Sequence, residues 1–183
     1  MNYTEQEIIE GCKKNDRLFQ KALYDRFSSK LFTVCMRYSN NRQDAEDLFQ
    51  ESFIKLFQNI EKYNGTGSFE GWARKLFVNY CISAFRKKKY KEEYSEEMLQ
   101  SEQEDNWEVD TKRFSDEEIL RAVNSLKEIE RMVFNMVEIE QMSYKDIKEV
   151  LNIKEETLRS MNCRAKKKLQ NYLLDIENKR KRI

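Results

Sequence analysis

Four carboxylates, Asp44, Glu46, Asp47 and Glu51, cluster within eight positions of the first half of the chain. Adjacent carboxylates can hold magnesium for a nuclease. However, 44, 47 and 51 fall on one helical stripe, with no complementary acidic cluster and no glycine-rich phosphate loop beside them. Histidine is absent altogether, which excludes His-dependent triads, and without any C-x-x-C pair either the common tetrahedral zinc sites are not expected. The four cysteines, Cys12, Cys35, Cys81 and Cys163, form no C-x-x-C pair and read as small apolar residues on helices. No catalytic centre, metal site or cofactor is expected, so the chain is not read as an enzyme.

Two other constellations suit nucleic acid. From Asp44 to Lys91, Tyr, Phe and Trp are interleaved with Arg and Lys, as expected where unstacked bases meet aromatic faces and a backbone meets cations. Core packing is the competing reading of those aromatics. Near the C-terminus, a short helix opened by Ser143, a turn at Leu151-Asn152-Ile153 and a long basic helix make a helix-turn-helix pattern. Leu158, Ala165, Leu169, Tyr172, Leu173 and Ile176 can face its core. Thr157, Arg159, Ser160, Arg164, Lys166, Lys167 and Lys168 stay largely outward, where arginine suits guanine edges and lysine suits phosphates.

The elements that must position these groups are helical. The 183 residues include no proline and four glycines, all within the first 71 positions. That composition favours an all-α fold. Thr4 with Glu7 and Ser115 with Glu118 are capping boxes, and the first helix is expected to end near Gly11. Apolar periodicity predicts helices over about 16–38, 43–60, 115–126, 127–140, 144–150 and 154–178, and one from about Phe69 that runs into the basic stretch Arg86 to Lys91. Ser68 can cap the helix that starts at Phe69, after a turn containing Asn64, Gly65 and Gly67.

Net charge is +1, but its distribution is uneven. Residues 1–91 carry 17 basic and 11 acidic side chains, and residues 111–183 carry 17 and 13. Residues 92–110 carry nine acidic side chains and no basic ones. Two basic blocks around an acidic tether suggest two domains that can each meet a polyanion. The expected division is 1–91, a linker at 92–114 without sustained apolar period, and 115–183. The N-terminus lacks the apolar core of a signal peptide, and no apolar run approaches membrane length. A cytoplasmic protein without membrane insertion is expected.

The run DAEDLFQESFIKLFQNIEKYNGTGSFEGWARKLFVNYCISAFRKKK at 44–89 resembles the second conserved region of extracytoplasmic-function (ECF) sigma factors of the sigma-70 family. The match includes the acidic helix, the G-S-F-x-x-W turn, Asn79 and the basic end. Residues 125–169 are similar to the family's fourth region, which ends in a helix-turn-helix. The resemblance implies a promoter-specificity subunit of RNA polymerase, built as two small helical domains.

By that resemblance, Asp44, Asp47, Leu48, Gln50, Glu51 and Phe53 correspond to the helix that docks on the core polymerase clamp. Lys62, Tyr63, Asn64, Ser68, Phe69, Trp72, Arg74, Lys75 and Asn79 correspond to the surface that melts the minus-ten element, with Arg86 and Lys87 at its basic end. A loop rimmed with polar groups can hold an extruded base. Ser143, Tyr144, Thr157, Arg159, Ser160, Arg164 and Lys167 correspond to the minus-thirty-five reader. The implied partners are the core enzyme, promoter DNA in duplex and single-stranded form, and an anti-sigma factor. Met142, Lys148 and Met161 stand where the family commonly has Gly, Ala and Arg, and Ser83 and Ala84 replace more polar residues. The alternative is a stand-alone helix-turn-helix regulator with an N-terminal sensor or dimerisation domain. It would leave the aromatic-basic block unexplained.

Overall fold

The computed structural model describes residues 3–89 and 110–181. Every regular element among them is helical, as composition and periodicity predict. The chain divides into two compact units, one ending at Lys88 and the other beginning at Lys89.

In the first unit, α1 (Glu5–Lys13) opens with the Thr4–Glu7 capping box. Backbone and side-chain hydrogen bonds from Thr4 hold the Glu7 carboxyl below its ordinary range. The helix does not end at Gly11. It runs to Lys13 and is stopped by Asn15, whose left-handed φ of 59° breaks the ladder. Gly11 is instead buried where α1 crosses the next helix. A Cβ there would sit 2.2 Å from the ring of Phe19, so a tertiary contact, not helix termination, selects glycine.

The side chain of Asp16 caps α2 (Arg17–Tyr38) by accepting the Leu18 N–H at 2.8 Å. Asn41 does the same for α3 (Arg42–Asn59) through the Asp44 N–H at 2.9 Å. A single 3₁₀ turn, Ile60–Lys62, leads into the loop 63–68. There Gly65 and Gly67 adopt φ of 83° and 76°, a region costly for any residue with a Cβ. Ser68 accepts the Gly71 N–H at 3.1 Å at the start of α4 (Phe69–Lys89), as its position predicts.

An aromatic cluster fills the space between α2, α3 and α4. Phe27 meets Phe69 at 5.3 Å between ring centroids, Phe53 meets Phe77 at 5.4 Å, and Phe49 touches both Phe53 and Phe77. Leu18 falls outside this core and is exposed, although it shares the helical stripe. Cys35 and Cys81 are buried side by side, and their mutual hydrogen bond together with burial pushes the Cys81 thiol well up. Burial, then the nearby Asp16 charge, raises Cys12 to about 11. Thiols so disfavoured as thiolates are packing residues.

In the second unit, α5 (Asp116–Asn124) carries the Ser115–Glu118 capping box, and α6 (Glu128–Phe134) continues as a π-helical turn through Asn135–Ile139. Gln141, at φ 53°, ends that turn. Ser143 caps α7 (Tyr144–Leu151), and Asn152 closes it in the left-handed conformation at φ 54°. The last helix, α8 (Glu155–Arg180), is 26 residues long, about 39 Å. Leu158, Ala165, Leu169 and Leu173 are its inward face, whereas Tyr172, expected to face the core, is 36% exposed.

Of the stretch 92–114 expected as a linker, residues 92–109 lie outside the described residues and only 110–114 are described. Those depart from the expectation. Asp110 caps a 3₁₀ turn at Thr111–Arg113, and Phe114 is buried against Ala122, Val123, Leu126, Phe134, Ala165, Leu169 and Leu173. Burial of Phe114, the Asp110 cap and the hydrogen bond from Arg180 to the Arg113 carbonyl together hold these residues on the unit, because one buried ring alone does not offset the ordering of five residues.

Gly11→Ala forces its methyl into the Phe19 ring and is expected to destabilise the first unit by about 1–3 kcal/mol, as overpacking does. A thermal melt would register the loss, and an unchanged melting temperature would show that α1 and α2 can separate freely.

Candidate polymerase and nucleic-acid surfaces

Three exposed surfaces collect most of the expected site residues. The first is the outer face of α3. Asp44, Asp47, Gln50 and Glu51 are exposed along it, and Leu48 is half-buried. Tyr80 donates its hydroxyl to the Glu51 carboxylate, bracing α4 against this face. Phe53 does not belong there. It is 5% exposed and packs between Tyr24, Phe49, Phe57 and Phe77. The helical period turns position 53 inward and position 54 outward, and Ile54 is 56% exposed instead. Its absence from the inward stripe is the sequence signal that marks Ile54 as a surface residue.

The second surface surrounds the start of α4. Tyr63 and Phe69 were expected in the loop's contact surface, but both are buried, at 7% and 0%. Their rings meet edge to face at 5.2 Å and each lies 5.5 Å from Trp72, while the Tyr63 hydroxyl donates to the Gly67 carbonyl at 2.8 Å. They are the floor that holds the glycine loop, and the contact surface is what they leave outside. Asn64 is exposed and its side chain accepts the Thr66 N–H at 3.0 Å, shaping the loop from within.

Beside the loop, Trp72, Lys62, Lys75 and Asn79 converge on an open cleft of about 290 Å³, joined by Asn59 and Leu76. Sequence reasoning missed the last two: Asn59 ends the preceding helix, and Leu76 counts as core by periodicity. An aromatic face, two ammonium groups and two amides in one cleft can stack a base, hold a phosphate and hydrogen-bond a base edge. Arg86 and Lys87 are exposed farther along α4, and Arg74 is half-buried. A Lys30–Glu70 ion pair at 2.6 Å ties α2 to the first turn of α4.

The third surface is the junction of α7 and α8. Arg159 is exposed, its guanidinium 4.4 Å from the centre of the Tyr144 ring. Asn162, 3% exposed, donates to the Tyr144 hydroxyl at 3.1 Å and to Glu138 at 2.7 Å. Thr157 and Ser160 are half-buried and Lys167 is exposed. Ser143 is occupied as a cap, accepting the Asp146 N–H at 3.1 Å and donating to the Asp146 carboxylate at 2.7 Å.

Three basic residues expected outward on α8 turn towards α6 and its π-helical extension instead. Lys168 sits 2.7 Å from Glu130, Arg164 lies 3.8 Å from the same carboxylate, and Lys166 is 2.7 Å from Glu138. Glu130 is 4% exposed, so burial of its charge requires cations close by. Periodicity places a cation on the flank of a helix but does not reveal the carboxylate another helix brings to it. Met142 and Met161 are half-buried, and Lys148 is exposed.

Phe53→Ala is expected to cost about 3–5 kcal/mol of stability, as large core truncations do. Asp47→Ala, on the exposed face, is expected to stay within about 0.5 kcal/mol. Chemical denaturation separates the two, and equal effects would mean that α3 is turned differently.

These surfaces sit on segments that match two known families. Residues 23–90 match Sigma-70 region 2, and residues 116–169 match Sigma-70 region 4. The chain is 28% identical over 188 residues to the ECF RNA polymerase sigma-E factor of Haemophilus influenzae, covering 93% of this chain and 95% of that protein. It is 24% identical to the ECF RNA polymerase sigma factor SigW of Bacillus subtilis, covering 92% of this chain and 96% of that one. Among solved structures it is similar to the sigma factor RpoE in complex with the anti-sigma factor NepR from Bartonella quintana. That likeness is at 18% identity, 84% of this chain, 95% of that chain and a TM-score of 0.47. With both regions matched in order across most of its length, the chain belongs to the ECF sigma factors of the sigma-70 family, DNA-binding proteins of transcription initiation.

Proposed function

We propose that the chain directs core RNA polymerase to promoters by dividing the work among its three surfaces. The acidic face of α3, with Asp44, Asp47, Gln50 and Glu51 around the apolar Leu48 and Ile54, docks on the core enzyme. Alternating carboxylates and aliphatics on one exposed helix suit a partner surface that is basic and partly apolar. The cleft at Trp72, Lys62, Lys75 and Asn79 holds the melted minus-ten strand, with Arg86 and Lys87 neutralising phosphates nearby. In the second unit, Arg159, Thr157, Ser160 and Lys167 read and anchor on the minus-thirty-five duplex. Arg164 serves chiefly to neutralise Glu130.

In this scheme residues 1–91 bind core enzyme and the minus-ten element, and residues 115–183, with Phe114 packed into their core, read the minus-thirty-five element. The chain acts by binding, with no chemistry of its own, and works in the cytoplasm where the polymerase is. No helix among the described residues is long and apolar enough to cross a membrane. An anti-sigma partner covering one or more of these surfaces would hold the factor inactive. The observation that carries the proposal is the placement of an open aromatic-cationic cleft and an exposed helix-turn-helix arginine on the two sigma-70 segments.

Run-off transcription over a genomic fragment library, with core polymerase from the source organism, tests it. Adding the protein is expected to produce new transcripts that share a pair of upstream elements. Failure to bind core polymerase at all would contradict the proposal.

A further inference from the structure

Arg159 stands at the end of a chain of contacts that begins on another helix. Glu138, on the π-helical extension of α6, accepts a hydrogen bond from Nδ2 of Asn162 at 2.7 Å. The same nitrogen donates to the Tyr144 hydroxyl at 3.1 Å. Arg159 lies over the Tyr144 ring, its Cζ 4.4 Å from the ring centre. Arg159 and Asn162 are neighbours on one side of α8, and the tyrosine that opens α7 touches both. Lys166 fixes Glu138 from a second direction at 2.7 Å.

Two features are not explained by packing alone. Asn162 is 3% exposed, and its Oδ1 is buried without a hydrogen-bond partner among the described residues. A half-satisfied amide in that position is less favourable than an apolar side chain of similar size. What only the amide supplies is the pair of donors that ties Tyr144 to Glu138. The second feature is how Arg159 is held. Arg164, Lys166 and Lys168 are drawn to Glu130 and Glu138, whereas Arg159 is engaged by a ring face. A cation–π contact uses no hydrogen-bond acceptor. The guanidinium therefore keeps its N–H donors for a base edge, while its long side chain has already lost rotamer freedom.

We infer that Tyr144 and Asn162 are positioning residues that preset Arg159 for one base pair of duplex DNA, with a guanine whose O6 and N7 accept from the guanidinium in the major groove. This role rests on the promoter reading above and concerns the second unit alone. Tyr144 is the platform, and Asn162 anchors the platform to the π-helical turn. Preference for that guanine is then set at three positions, of which only Arg159 touches the base.

The test is competitive binding of polymerase holoenzyme containing this protein to promoter duplexes in which each upstream base pair is varied in turn. Arg159→Ala is expected to lower the preference for guanine at one base pair roughly tenfold or more, which identifies the pair. Tyr144→Leu is expected to lower the preference at that same pair roughly fivefold, with the other pairs unchanged. Tyr144→Phe, which keeps the ring and loses the tether, and Asn162→Leu should act at the same pair by a smaller factor. In an Arg159→Ala background, Tyr144→Leu should change nothing further there. An equal fall at every base pair, or a Tyr144→Leu effect that persists without Arg159, overturns the inference and leaves both residues structural. Should Asn162→Leu fail to fold, as a thermal melt would show, the two substitutions at the half-buried Tyr144 decide the matter by themselves. Wild type without preference at any upstream pair, or Arg159→Ala without effect, overturns the promoter reading of α8 itself.

Discussion

Close packing of the aromatic residues of α2, α3 and α4 is the constraint on which the first unit depends. Phe27, Phe49, Phe53, Phe69 and Phe77 fill the space between these helices, and Tyr63 closes the cluster beneath the glycine loop. Edge-to-face contacts of this kind favour particular ring angles, so the cluster fixes helix rotation as well as supplying apolar burial. That rotation puts Asp44, Asp47 and Glu51 outside and leaves Trp72 half-buried at the edge, against Tyr63 and Phe69 and lining the cleft. The proposed surfaces are therefore consequences of the packing. An aromatic residue in the core cannot also stack on a base, and only Trp72 among those around the loop retains an open face.

The second unit solves a different problem, the burial of charge. Glu130 is buried at the contact of α6 with α8, and Lys168 and Arg164 neutralise it from the facing helix. Glu138 draws in Lys166 and Asn162, and Asn162 in turn holds Tyr144 beside Arg159. These contacts consume cations that would otherwise face outward. The positive charge near the start of α8 is consequently less available than its composition suggests, with Arg159 and Lys167 exposed and Arg164, Lys166 and Lys168 paired to carboxylates. Specific readout needs few well-held donors more than many free ones.

Much of this architecture is legible in the sequence, for local reasons. Thr4, Ser68, Ser115 and Ser143 cap helices because a hydroxyl next to unpaired N–H groups is a short-range signal. Apolar periodicity places every helix within a few residues. What escapes is decided across the chain. Gly11 looks like a helix terminator, but its role comes from Phe19 on another helix. Tyr63 and Phe69, on either side of the two loop glycines, are equally readable as surface or floor until Trp72 and Phe27 are packed against them. Phe114 is hidden by its acidic neighbours, and nothing local announces that Arg180, far along the chain, will stack on it.

The central claim is that the cleft at Trp72 holds a melted strand, and permanganate reactivity of thymines in the minus-ten element addresses it most directly. With core polymerase and the wild-type protein, those thymines should become reactive. With Trp72→Ala, duplex and core binding should persist while reactivity falls roughly tenfold or more, the loss of about 1–3 kcal/mol of base stacking. Equal reactivity with and without the indole, in a variant that still folds, would contradict the account and place strand capture elsewhere on the first unit.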